Sequence, residues 1–140
     1  MVQIDVVYKG GLRTAATHGP SGQVLITDAP LDNQGKGQSF SPTDLVATGL
    51  GSCILTLMGI VAERRAIDLQ GASASVTKVM ATEGPRRIER LDVRIQVPVQ
   101  PEEKIQAALE KAALGCPVHA TLGGNVQMDI TFQWGAAASD

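Results

Sequence analysis

The stretch SPTDLVATGLGSCILTLMGIVAERR, residues 41–65, decides the fold of this 140-residue chain. Ser41 is suited to cap a helix, Pro42 suits the first helical position, and Asp44 stands three residues after the cap. The segment therefore predicts a long helix from Pro42 to about Ala66, roughly 36 Å in length at about 1.5 Å per residue.

The same stretch is apolar enough to raise the question of a membrane span. The 18 residues from Leu45 to Ala62 carry no charge, which reaches the lower limit for a spanning helix. Thr48, Ser52, Thr56 and three glycines dilute this apolar run, and the chain has no other candidate span. We therefore expect a helix buried on all sides in a soluble domain, with no membrane partner. The glycines suggest close packing against other backbone, such as a partner helix.

The rest of the chain alternates in the manner of strands, with one further long helix. Leu91, Val93, Ile95 and Val97 form the apolar face of one such strand. A second helix is predicted to open at Pro101 and to end at Gly115. The predicted strands lie at residues 2–9, 12–18, 23–28, 72–82, 86–99 and 125–134.

The resulting order, three strands, a helix, two strands, a helix and a strand, is that of an α+β protein. We expect a single domain over residues 1–140. It would consist of an N-terminal β-hairpin region and loop at 1–40, a helix–strand core at 41–134 and a frayed tail at 135–140.

Composition narrows the possible partners and the compartment. The chain is 44% hydrophobic but only 3% aromatic, so the core is mostly aliphatic, and the net charge of −2 argues against a nucleic-acid partner. The N-terminus shows no basic segment followed by an apolar one, so the cytoplasm is the expected compartment.

Two cysteines, Cys53 and Cys116, stand about sixty residues apart. A permanent disulfide is disfavoured in a reducing compartment. A zinc site would need four well-spaced ligands, and only Cys116 and His119 are close in sequence, with His18 remote. We expect no metal and no cofactor.

The surroundings of each cysteine allow a reactive and an inert interpretation. Cys116 precedes Pro117 and can cap a short helix through PVHATL, where a helix N-terminus lowers a thiol pKa, or it can be a small buried hydrophobe. Cys53 lies mid-helix, where burial raises a thiol pKa unless a cation is near. Arg13 is a candidate for that cation, or it is a solvated strand residue.

Taken together, SPTDLVATGLGSC, the helix through ILTLMGIVAERR, the strand with VTKVMAT and PRRI, and AALGCPVHATL resemble the family of osmotically inducible protein C and organic hydroperoxide resistance protein. The resemblance covers about residues 1–134. It implies a tightly intertwined α+β homodimer, with antiparallel sheets packed around long central helices.

The resemblance also implies a chemistry. Family members reduce hydroperoxides with a cysteine pair, so Cys53 corresponds to the peroxidatic cysteine, Cys116 to the resolving cysteine and Arg13 to the arginine that activates the thiolate. The implied reductant is a dithiol, a lipoyl group or a small thiol. Peroxide specialists carry a glutamate directly after the helix-opening proline, where this chain has Thr43, so Asp44 is either a substitute partner for Arg13 or a capping-box residue.

Two functional classes remain open at this point. The first is a thiol-dependent peroxidase that acts on organic or hydrogen peroxides in oxidative-stress defence. The second is a non-catalytic protein of the same fold that binds an apolar or acyl molecule at the dimer seam. The aliphatic composition suits both classes.

Overall fold

The computed structural model describes residues 1–135, so the predicted tail beyond Gly135 lies outside the described residues. The α+β class is confirmed. The strands are β1 (Ile4–Gly10), β2 (Arg13–His18), β3 (Val24–Asp28), β4 (Ser73–Met80), β5 (Ile88–Val97) and β6 (Gln127–Trp134). The helices are α1 (Pro42–Arg64), α2 (Glu103–Leu114) and α3 (Pro117–Leu122), and a 3₁₀ turn spans Leu31–Asn33.

Contacts between Cα atoms divide the chain into two compact units, residues 1–46 and residues 47–140. Each unit is described by itself below. The single-domain organisation stays a prediction.

The first unit is built on an antiparallel sheet with the order β1-β2-β3. Gly10 and Gly11, with φ angles of 82° and 61°, make the turn that returns β1 as β2. The register of β2 and β3 places Arg13 directly opposite Asp28. The first residue of β2 and the last residue of β3 are thus cross-strand neighbours.

Large apolar side chains of this sheet remain exposed in the single chain. No residue of β1 is buried, and Val6 and Tyr8 are 61% and 64% exposed. Val24 of β3 is 59% exposed. So much exposed apolar surface is unusual on a sheet that faces only water.

The second unit contains a mixed sheet with the order β4-β5-β6. β4 and β5 pair antiparallel, as expected, but β5 and β6 pair parallel, from Arg90 opposite Gln127 to Val97 opposite Trp134. The prediction of antiparallel sheets is therefore wrong for β6. The chain between these strands crosses the sheet through α2 and α3, and such a helical crossover joins parallel strands.

The core of the second unit lies between α1 and the sheet. Leu50, Ile54 and Met58 of α1 are fully buried, as are Leu91 and Ile95 of β5. The apolar face predicted for β5 is thereby confirmed. Each fully buried side chain of this size contributes about 1.5–3 kcal/mol of hydrophobic stabilisation.

Of the three glycines in α1, one lies in close contact with another element. A Cβ atom at Gly51 would lie 3.0 Å from Cγ2 of Val76 on β4, whereas a Cβ at Gly49 or Gly59 would meet nothing within 4 Å. Gly51 thus packs closely against a side chain of β4, and the predicted packing of the glycines against other backbone stays a prediction. The other two glycines leave open space on the helix.

The helix boundaries differ slightly from those predicted. α1 ends at Arg64, and the amide of Ile67 donates to the carbonyl of Ala62 at 2.9 Å while Ala66 takes a left-handed φ of 55°. α2 begins at Glu103, two residues after Pro101. By length and composition α1 is the one helix of residues 1–135 that could cross a membrane, a test that the core helix of a water-soluble protein also passes.

Candidate active site

Cys116 caps the short helix α3, as the sequence predicts. Its backbone is extended (φ −68°, ψ 146°), Pro117 occupies the first turn, and the backbone amide of His119 donates to Cys116 Sγ at 3.2 Å. This is the geometry of a side-chain N-cap, with sulfur as the acceptor. The cap fixes the position of the thiol.

The surroundings of Cys116 raise the pKa of its thiol instead of lowering it. Burial is the largest cause, since the side chain is fully buried and burial disfavours the thiolate. The hydrogen bond from the His119 amide lowers the pKa, but a side-chain hydrogen bond with Cys53 and the charge interaction with it raise the pKa further. Of the two interpretations of Cys116, the small buried side chain fits these surroundings better than the activated thiolate.

Cys53 and Cys116 are near enough to interact, because Cys53 contributes to the raised pKa of Cys116. Cys53 is half-buried on α1, Cys116 is buried at the start of α3, and both are free thiols. The structure thus brings the two sequence-predicted cysteines together.

Asp44 forms a capping box at the start of α1. The amide of Asp44 donates to Ser41 Oγ at 3.0 Å, and the amide of Ser41 donates to Asp44 Oδ2 at 2.9 Å. The capping-box interpretation of Asp44 is thus confirmed, and a role of Asp44 as a partner of Arg13 stays a prediction.

Arg13 pairs with Asp28 and Gln38. Arg13 Nη2 lies 3.4 Å from Asp28 Oδ2 and also donates to Gln38 Oε1, while the amide of Gln38 donates to Asp28 Oδ2 at 2.9 Å. The bond from the Gln38 amide is the largest cause that holds the pKa of Asp28 below its usual value; burial opposes it, and the Arg13 guanidinium adds to the lowering. Asp28 is therefore an ionised, buried carboxylate beside a guanidinium.

Sequence reasoning missed Asp28. The residue ends an apolar strand and precedes Ala29-Pro30, so it has the pattern of a turn residue. The available signal was the register: in an antiparallel pair the first residue of one strand faces the last residue of the next. Arg13 belongs to the first compact unit and the cysteines to the second, so the role of Arg13 toward Cys53 stays a prediction.

Two further features lie outside the cysteine pair. Within residues 1–135 no group of three or more His, Cys, Asp and Glu side chains is placed to hold a metal ion.

An open cleft beside the end of α1 combines apolar side chains with three cations. It is lined by Val61, Arg64, Arg65, Ala108, Lys111 and Ala112.

The α+β fold and the cysteine pair agree with the protein family that comparison with known proteins identifies. The family model of the OsmC-like proteins matches residues 35–131. The chain belongs to the OsmC-like protein family.

The chain is similar to individual proteins at different levels of sequence identity. A protein of Psychrobacter arcticus 273-4, provisionally assigned to osmotic stress induction and the detoxification response, is 44% identical, with 95% of this chain and 96% of that chain covered and a TM-score of 0.89. The organic hydroperoxide resistance protein of Xanthomonas axonopodis pv. citri (strain 306) is 25% identical over 127 residues, 84% of this chain and 89% of the relative. The organic hydroperoxide resistance protein OsmC of Legionella pneumophila is 17% identical and shares the fold, with a TM-score of 0.76 and coverage of 95% and 96%.

Proposed function

We propose that this protein is a thiol-dependent peroxidase that reduces organic or hydrogen peroxides in defence against oxidative stress. The observation that carries the proposal is the proximity of two free thiols inside the second unit, where Cys53 influences the pKa of Cys116. Membership of the OsmC-like family and the similarity to an organic hydroperoxide resistance protein support it.

In the first step, the thiolate of Cys53 attacks the terminal oxygen of the hydroperoxide. An S–O bond forms, the O–O bond breaks, and the leaving alkoxide takes a proton to become an alcohol. Sulfur is oxidised to sulfenic acid and the peroxide is reduced. We assign the attack to Cys53 because it is the more exposed of the two thiols.

In the second step, the thiol of Cys116 condenses with the sulfenic acid. The new S–S bond displaces the hydroxyl group, which leaves as water with the proton of the Cys116 thiol. A raised pKa favours this division of labour, because a neutral Cys116 does not compete for the peroxide at neutral pH. A dithiol, a lipoyl group or a small thiol then reduces the disulfide by exchange and is itself oxidised.

We assign to Arg13 the stabilisation of the Cys53 thiolate and of the oxygen on which charge develops as the O–O bond breaks. A guanidinium keeps its charge at any physiological pH and donates through a planar fork. Asp28 and Gln38 occupy only Nη2 of this fork among residues 1–135. The remaining guanidinium nitrogens of Arg13 can therefore donate to an oxygen of the peroxide.

We further propose that the protein acts as a homodimer in the cytoplasm. The exposed apolar side chains of β1 and β3, and the open space at Gly49 and Gly59 of α1, support a second copy as their cover. A reducing compartment supports thiols that must be regenerated after every turnover.

The test is a thiol titration with mass measurement after addition of one equivalent of cumene hydroperoxide to the reduced protein. We expect rapid loss of both thiols with a mass decrease of two hydrogens. Cys53→Ser should consume no peroxide, and Cys116→Ser should react once and leave a sulfenic acid that dimedone traps. Wild-type protein that keeps both thiols would instead favour the non-catalytic binder of an apolar or acyl molecule.

A further inference from the structure

The contacts around Arg13 involve three residues of the first unit, which we call the arginine clamp: Arg13, Asp28 and Gln38. Arg13 starts β2 and Asp28 ends β3, and the register of the two strands sets them opposite each other. Asp28 is fully buried, while the side chain of Arg13 is 38% exposed. The clamp thus has a buried anionic end and a cation that reaches toward the surface.

The segment after β3 folds back so that its end meets Asp28. The amides of Gly35 and Gly37 donate to the carbonyls of Pro30 and Ala29, at 2.9 Å and 3.1 Å. A Cβ atom at Gly35 would lie 1.7 Å from the Ala29 carbonyl oxygen, so this close approach requires glycine. The fold of the segment is what delivers Gln38 to the carboxylate.

Gln38 contacts both other members of the clamp. Its backbone amide donates to Asp28 Oδ2 at 2.9 Å, and its side-chain oxygen accepts from Arg13 Nη2. One guanidinium nitrogen therefore carries both bonds. Asp28 Oδ1 is buried and has no hydrogen-bond partner among residues 1–135.

We propose that Asp28 and Gln38 are the positioning residues of the peroxidase reaction: they hold Arg13 by Nη2 and thereby present its other nitrogens to the substrate oxygen. The inference rests on the proposed function for its catalytic consequence. The clamp itself is defined by the contacts of residues 13, 28 and 38.

A chemical probe tests the clamp without reference to peroxide. Phenylglyoxal modifies accessible arginines, and peptide mass mapping gives the rate at Arg13. We expect severalfold faster modification in Asp28→Asn and in Gln38→Ala than in wild type, because each variant removes one restraint on Nη2. Asp5→Asn, a change at an exposed carboxylate of the same sheet, serves as the matched control and should equal wild type. Equal rates in all four proteins would overturn the clamp.

A double-mutant cycle tests the link to the reaction. Asp28→Asn should slow peroxide consumption about 10-fold or more, since misplacement of a group by about 1 Å can cost on the order of 10²-fold. In an Arg13→Ala background, the same change should have no further effect, because its target is gone. Additive effects would show that Asp28 has a purely structural role and would overturn the inference.

The outcomes separate this inference from the proposed function. Wild-type protein that consumes no peroxide would contradict the function, while the phenylglyoxal rates would still decide the clamp. If Asp28→Asn failed to fold by circular dichroism, Gln38→Ala would take its place in both experiments, because Gln38 is exposed and its amide bond to Asp28 survives the substitution.

Discussion

Ser41 and Asp44 hydrogen-bond each other reciprocally across the first turn of α1, each backbone amide donating to the other's side chain. Both bonds satisfy amides that the helix itself leaves without a partner. The carboxylate next to the helix-opening Pro42-Thr43 pair is thus engaged in starting the helix.

The capping box gives a stability prediction. Ser41→Ala should lower the free energy of unfolding by about 1 kcal/mol, because the half-buried amide of Asp44 loses its acceptor. Urea denaturation measures the change. Ser52→Ala, at an exposed position in the same helix, is the control and should stay within about 0.5 kcal/mol of wild type. Equal effects of the two changes would mean that the box adds nothing to stability.

The environment of Cys116 gives a pH prediction. In a Cys53→Ser variant, alkylation of Cys116 by iodoacetamide should show an inflection above pH 9.0, because burial, the largest cause of the raised pKa, is unchanged there. Mass spectrometry across a pH series gives the profile. An inflection below 9.0 would show that the helix N-terminus outweighs burial after all.

Asp28 gives an acid-stability prediction. Its folded-state pKa lies below the ordinary value of 3.8, so the folded state binds the proton less readily than the unfolded chain does. Its contribution to the free energy of unfolding is therefore fully present above pH 3.8 and is lost as the pH falls through the folded-state pKa. Denaturation curves between pH 5 and about pH 2.5 should show a smaller loss of stability in Asp28→Asn than in wild type. Parallel losses would contradict the lowered pKa.

Arg13 gives a kinetic prediction. Arg13→Ala should leave the protein folded and slow peroxide reduction by roughly 10²-fold or more, in line with the loss of one charge-stabilising donor. Arg13→Lys should recover only part of the rate, because an ammonium keeps the charge without the planar fork. Peroxide decay with pre-reduced thiols measures both, with the exposed Arg94 replaced by Ala as the control. Wild-type rates in both Arg13 variants would remove this residue from the site.

The exposed face of β1 gives an assembly prediction. Sedimentation at micromolar concentration should show a dimer, and Val6→Asp should shift it toward monomer, since Val6 is 61% exposed in the single chain and its loss leaves the core intact. Gln3→Asp, just before the same strand, is the control. A stable, folded wild-type monomer would refute the homodimer.

Local chemistry explains why some elements were predictable. Ser41-Pro42 and Cys116-Pro117 each place a capping side chain before a proline, a signal contained within a few residues, and both helices start as predicted. The period-two face of β5 is equally local, since Leu91 and Ile95 must share a side.

Other features depend on contacts that no short window contains. Alternation in residues 127–134 is the same for a parallel and an antiparallel strand, so the direction of β6 could not be read from it. Helix-terminus chemistry at Cys116 was visible in the sequence, but the burial that overrides it is set by the packing around it. The partner of Asp28 could be known only from the pairing of β2 with β3, because Arg13 lies fifteen residues away in sequence.

The helical crossover between β5 and β6 also bears on the order of steps in folding. Cys116 lies within that crossover and Cys53 lies on α1, so their meeting depends on contacts between distant parts of the chain. Such contacts are slow to form because loop closure must precede them. We therefore expect the two thiols to come together only when this crossover docks in the folding chain. In the proposed peroxidase reaction, a sulfenic acid formed on Cys53 before that step would have no resolving thiol.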